Sequence, residues 1–162
     1  KVVIAAAGEP IRSLNTELPD GMPTLPEGFS TPKIALPGVV VINSPAFKDT
    51  PTAQSDAERL CRYLENSIWP DSLPLVVMVD DAAFAAAKVN NFLWVTFTRS
   101  NPSHDIYGAF SSMIYKHWGC KGPLVIDARI KPHHAPPLVE DPKVTASVDK
   151  LFSSNGVLAK WG

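Results

Sequence analysis

Leu75-Val76-Val77-Met78-Val79 runs straight into two carboxylates, Asp80-Asp81, and the reading of these seven residues decides the fold. An unbroken apolar run of this length, rich in β-branched side chains, suits a strand buried on both faces of a parallel sheet. Such a strand places the chain in the α/β class. Polar groups at the strand's carboxyl end fall where open α/β sheets bind ligands. Two adjacent acids there call for water, a metal, a base or a helix N-terminus.

Upstream, Val39-Val40-Val41-Ile42 reads as a second buried strand, broken by Asn43-Ser44-Pro45. Thr50-Pro51 then predicts a helix start, with Thr50 as N-cap and Pro51 in the first turn. Ala53, Ala57, Leu60, Cys61, Leu64 and Ile68 form its apolar stripe, and Gln54, Asp56, Glu58, Arg59 and Glu65 its wet face. Pro70 stops it, so the unit is strand–helix–strand, for which a right-handed crossover is expected. Downstream, Ala82–Arg99 is ambiguous: Ala85-Ala86-Ala87-Lys88 favours helix, whereas Phe92–Thr98 favours strand on propensity alone. Ile106–Phe110 and Pro123–Ile126, the latter ended by Asp127, read as short strands. Asp141-Pro142 opens a last helix with Val144, Val148, Leu151 and Phe152 as its stripe and Gly156 as its stop. Val2–Ala7 reads as a further strand. Leu18–Pro37 is proline-rich and reads as an extended arm that wraps a neighbour or joins domains. Lys131–Pro137 holds too many prolines for regular structure.

The chain has 162 residues, 45% of them hydrophobic, and a formal net charge of −1. One domain over residues 1–162 is the expectation, with its core at about 38–154. No Lys/Arg block marks a nucleic-acid surface, and no apolar stretch approaches the roughly twenty residues of a membrane span. Cys61 and Cys120 are too few for a disulfide framework and suit free thiols in a reducing cytosol. The opening Lys1-Val2-Val3-Ile4 carries no initiator Met, which suits a piece of a longer polypeptide.

Several candidate chemistries stand against simpler roles. Asp80 and Asp81 suit a metal, as in a nucleotide-sugar transferase; equally they suit a helix cap and an ion pair with Arg99. Arg99 suits a phosphate or carboxylate clamp, or a structural network with Asp80, Asp81 and Asp105. His117, His133 and His134 with Cys120 and Asp127 match no zinc-ligand spacing. Ser44, Ser103 and Cys120 lie in no G-x-S-x-G context. No phosphate-binding glycine fingerprint is present. Lys48, before the Pro51 helix, is placed to attract an anion at that helix end. Trp94, Trp118 and Trp161 read as packing residues, without interleaved bases for stacking nucleic acid.

The stretch Val76–Asp81, followed by Asn90-Asn91, Trp94, Thr98-Arg99, Pro102 and Asp105, resembles the carboxyl-terminal domain of the UbiD family of prenylated-flavin-dependent decarboxylases, such as 3-octaprenyl-4-hydroxybenzoate carboxy-lyase. Asp127-Ala128, two residues, then Lys131 is similar to that family's D-A-x-x-K segment. Glu140-Asp141-Pro142-Lys143-Val144, leading to Val148-Asp149, is similar to its acidic helix start. The likeness spans roughly residues 38 to 154. It implies that about Val89 to Arg99 is helix and that the architecture is three-layer α/β, a mostly parallel sheet flanked by helices. It also implies a parent enzyme that decarboxylates an aromatic or conjugated acid, in the cytoplasm and with a role such as ubiquinone biosynthesis.

In the family the catalytic groups and most contacts to prenylated FMN belong to a preceding flavin-binding domain. This chain would therefore be inactive alone, hold no cofactor and no metal, and serve pocket closure and homo-oligomer assembly against that domain. Ala128–Lys131 is the expected approach to the pocket, with Ile130 lining an apolar wall and Lys131 meeting an anion; Lys48 is the second choice. An interaction domain without a ligand site of its own is the alternative. The family's third acid after Asp80-Asp81 is Ala82 here, and 110–121 departs from the family pattern.

Overall fold

The computed structural model describes residues 7–135 and 141–161. They fall into two compact units divided between Pro132 and His133. The strand expected at Val2–Ala7 lies almost wholly outside the described residues.

In the first unit, β1 (Ser30–Leu36), β2 (Val39–Asn43), β3 (Leu75–Val79), β4 (Ile106–Gly108) and β7 (Leu124–Asp127) form one sheet in the order β1-β2-β3-β7-β4. β2, β3 and β7 are parallel to one another, and β1 and β4 lie antiparallel on the two edges. The sheet is thus mixed, and its parallel part is confined to the centre. The edges follow from short connections. Pro37-Gly38 joins β1 to β2 with Gly38 at φ +76°, a backbone angle that a side chain would strain. So tight a turn can join only antiparallel strands.

The expected run is β3, buried along nearly its whole length, and β2 is its match. α1 (Thr50–Asn66) covers one face. There Ala57, Leu60, Cys61 and Leu64 pack on Val40, Ile42, Val76, Met78 and Val125. α2 (Ala82–Ala87) and α3 (Val89–Arg99) cover the other. There Ala82, Ala85, Phe92 and Val95 pack on Val41, Val77, Val79 and Ile126. Alternate residues of each central strand thus serve opposite layers, and each fully buried side chain contributes roughly 1.5–3 kcal/mol. The ambiguous stretch is helical, as the family likeness implied, but Lys88 is extended (φ −151°, ψ 148°) and divides it in two.

The proline-rich arm is only partly an arm. Its last third is β1, and Phe29 is buried in the α1-side core with Leu18, Met22 and Leu25 packed against it. Pro32 lacks an N–H, which an edge strand tolerates, and the β1–β2 register shifts between Ser30 and Lys33 around it.

α1 is capped by Asp49 rather than Thr50; the Thr52 N–H donates to Asp49 Oδ1 at 2.8 Å. Thr50 and Pro51 occupy the first turn. Hydrogen bonds from Thr52 and the charge of Lys48 hold the Asp49 carboxyl below its ordinary value of 3.8. Its contribution is therefore complete above the ordinary carboxylate range and lost as pH falls through the folded-state value. Asp49→Ala is expected to lower Tm at about pH 7 and to have a much smaller effect near about pH 2. Equal losses in thermal melts at both pH values would contradict an ionised cap.

Ile68 lies beyond the end of α1 and is almost fully exposed. Trp94, Trp118 and Trp161, expected to pack, are each more than two-fifths exposed. β5 (Ser111–Ile114) and β6 (His117–Cys120) form a separate two-stranded ribbon where no element was expected. The second unit holds α4 (Pro142–Phe152), capped by Asp141 as expected, and a short 3-10 turn. No helix among the described residues is long and apolar enough to cross a membrane.

Candidate functional site

The parallel register sets Asn43 beside Val79 and Met78 beside Asp127, so β2, β3 and β7 end together on one rim. The polar residues that follow these strands meet there.

Asp80 and Asp81 part company at once. Arg99 Nη1 lies 3.1 Å from Asp80 Oδ2, and the same oxygen accepts the Ile130 N–H at 2.8 Å. Arg99 also stacks over Trp94, 5.0 Å from the ring centre. Asp81 instead caps α2, accepting the Phe84 N–H at 2.9 Å. Asn43 Oδ1 accepts the Ala82 N–H beside it. The twin acids thus have protein partners, and no metal-capable cluster of His, Cys, Asp or Glu occurs among the described residues.

Asp105 joins the rim through Lys131. The Lys131 ammonium lies 3.4 Å from Asp105 Oδ2 and 3.8 Å from Asp127 Oδ1. It also donates to the backbone carbonyls of Arg99, Asp127 and Arg129. Lys131 is buried at 8% exposure, so its charge is spent inside the protein. Ile130 is half-buried beside Asp80. Lys48 stays exposed next to Asp49, and the anion at that helix end is Asp49 itself.

The centre of the rim is Arg129, a residue that no sequence pattern singled out. Arg129 is fully buried. It holds Asp127 through Nε and Nη2 at 2.9 and 2.7 Å, and Asp56 through Nη1 at 2.9 Å. It also donates to the carbonyls of Pro45 and Ala53. Burial opposes its charge, but the hydrogen bonds and charges of Asp127 and then Asp56 outweigh that and hold the guanidinium more firmly protonated than an ordinary arginine. One guanidinium therefore ties the loop after β2, helix α1 and the end of β7 together. The signal was present in Asp56, three residues after Ala53 and four before Leu60. That spacing puts it on the buried stripe, not the wet face, and a buried carboxylate demands a cation.

Cys61 is buried and Cys120 half-buried, both as free thiols. Burial, then the charge of Glu65, pushes Cys61 up to about 12, and burial raises Cys120. Neither supplies a thiolate nucleophile near neutral pH. The rim is thus a neutralised latch that fixes Ala128–Lys131. A cavity of about 760 Å³ lies instead at the amino ends of the strands, lined by Leu64, Glu65, Trp69, Asp71, Phe110 and Lys121 among others.

No family model matches the chain. It is 29% identical over 148 residues to an uncharacterized protein of Chlamydia trachomatis, covering 91% of this chain and 23% of the relative. It is 30% identical over 106 residues to a 4-hydroxybenzoate decarboxylase subunit of Chlamydia pneumoniae, covering 58% of this chain and 18% of that one. Among solved structures it is similar to vanillic acid decarboxylase of Sedimentibacter hydroxybenzoicus in its open form, with a TM-score of 0.42 and 18% identity over 70% of this chain and 26% of that one. The chain spans less than a quarter of the length of the curated relatives it matches.

Proposed function

We propose that this chain is the carboxyl-terminal domain of a UbiD-related decarboxylase that removes CO2 from an aromatic or conjugated acid in the cytoplasm. The observation that carries the reading is the 30% identity over 106 residues to a 4-hydroxybenzoate decarboxylase subunit. The order of the Asp80-Asp81, Arg99, Asp105 and Asp127–Lys131 segments supports it.

In that reading the domain closes one side of the active site against a flavin-binding domain of the same polypeptide and helps assemble a homo-oligomer. Prenylated FMN, when bound, supplies the electron sink for decarboxylation. The described residues do not fit a cradle for it by themselves. Arg129 and Lys131, the rim's buried cations, already face carboxylates, so neither is placed to neutralise a flavin phosphate. The work of these residues is to hold the Ala128–Lys131 turn, with Ile130 at its outer side, in one position.

The full-length protein loaded with prenylated FMN is expected to release CO2 from 4-hydroxybenzoate or a related acid. The 162-residue chain titrated with FMN is expected to show no binding at micromolar concentration. A loaded full-length protein that releases no CO2 from a panel of aromatic and conjugated acids would overturn the decarboxylase reading. Tight flavin binding by the short chain would overturn its place as a domain without a cofactor site.

A further inference from the structure

The cavity at the amino ends of the strands has no part in the rim, and segments far apart in the sequence build it. The carboxyl end of α1 supplies Glu65, the loop before β3 supplies Trp69 and Asp71, Phe110 stands just before β5, and the loop before β7 supplies Lys121 and Gly122. Its volume of about 760 Å³ falls within the roughly 300–1,000 Å³ of small-molecule sites.

Two aromatic rings line it, and both are held in place. Trp69 is half-buried, and its Nε1–H donates to the Leu73 carbonyl at 2.9 Å. Phe110 is 54% exposed and sits at φ 52°, a left-handed conformation uncommon for a bulky side chain. Glu65 Oε1 pins it there by accepting its N–H at 2.7 Å. Gly122 gives the ring room: a Cβ at that position would lie 3.2 Å from Phe110 Cδ2 and 2.8 Å from Ala109 Cβ. The chain thus tolerates backbone strain to keep a water-exposed ring at the cavity wall, as ligand clamps do.

The charges in the cavity are of both signs and do not neutralise one another. Among the described residues, none of Glu65, Asp71 and Lys121 forms an ion pair. Arg12 reaches the backbone carbonyl of Asp71 and not its carboxylate. Glu65 belongs to the last turn of α1, which holds no base, so the helix end and the carboxylate together attract a cation. Lys121 attracts an anion. A ligand that satisfies both carries an ammonium and a carboxylate, and the two rings favour one that is also aromatic.

We propose that this cavity binds a free aromatic amino acid as its zwitterion. The ammonium lies at Glu65 and the carboxyl end of α1, the carboxylate at Lys121, and the ring against Trp69 and Phe110. The site is at the opposite end of the strands from Ala128–Lys131. It therefore goes beyond the decarboxylase reading and does not rest on it.

Titration of the isotope-labelled 162-residue chain with L-phenylalanine at neutral pH, followed by NMR, is expected to move the Trp69 indole resonance with a Kd of about 0.1–1 mM. Phenethylamine lacks the carboxylate and hydrocinnamate lacks the ammonium, so each should bind at least about tenfold more weakly. Lys121→Met should weaken L-phenylalanine about tenfold and leave phenethylamine within about twofold. Glu65→Gln keeps an acceptor for the Phe110 N–H; it should weaken L-phenylalanine and phenethylamine alike and spare hydrocinnamate. No shift at about 10 mM L-phenylalanine, equal affinities for the three probes, or affinities that neither substitution changes would overturn the proposal.

Discussion

Arg129→Met is expected to cost about 3–5 kcal/mol of folding stability, a larger loss than any other substitution proposed for this chain. The native guanidinium is fully buried between Asp127 and Asp56, themselves 1% and 8% exposed. Methionine matches its length and apolar stem but leaves Asp127 with only the more distant Lys131, at 3.8 Å, and Asp56 with only the partly exposed Arg59, at 3.1 Å. Against a typical total of about 5–15 kcal/mol, that loss leaves a marginal fold. Urea unfolding followed by circular dichroism measures it. Arg129→Lys should recover only part, since one ammonium cannot make both the paired contact to Asp127 and the reach to Asp56 and the Pro45 and Ala53 carbonyls. A loss below about 1 kcal/mol would mean that the cluster is solvated and that Arg129 does not join α1 to β7.

The second large effect concerns Gly108. A Cβ there would lie 2.5 Å from both Cβ and Sγ of Cys120 and 3.4 Å from the ring of Trp118. β4 and β6 therefore approach more closely than any side chain at 108 allows. Gly108→Ala is expected to destabilise the chain by about 1–3 kcal/mol, the range for overpacking a filled site. The obstructing atoms belong to one residue, which makes the cause separable. Adding Cys120→Gly should give a favourable interaction energy in a double-mutant cycle. Strict additivity would show that the cost of Gly108→Ala arises elsewhere.

Much of the central fold is legible residue by residue. β2, β3 and α1 follow from an apolar run, a second apolar run, and a capped helix of the right period between them. The capping carboxylate of α1 is one residue earlier than expected because Asp49 and Thr50 both satisfy the rule, and only backbone geometry chooses between them. β1 was hidden by composition. Prolines suggested an unstructured arm, while Pro37-Gly38 between Leu36 and Val39 was already a hairpin signal. The α2–α3 stretch was not legible from propensity, since Phe92–Thr98 is rich in strand formers. Burial of Phe92 and Val95 against the sheet outweighs that preference.

The site divides along the same line. Asp80 and Arg99 are paired, as one of the two sequence readings allowed, and Asp81 took the helix-cap role. Lys131, expected to meet an anion, lies beside the carboxylates of Asp105 and Asp127.

From its amino acids alone this chain declares a layered α/β core, its central strands and the cap and breaks of its principal helix, because those choices depend on neighbours within a few residues. Only the folded chain decides that Arg129 meets Asp56, 73 residues away, that Lys131 is inward, and that β5 pairs with β6 alone among the described residues. Pairing among 31 charged side chains is a matter of which groups lose water together, and that is set by packing across the whole sheet rather than by any local pattern.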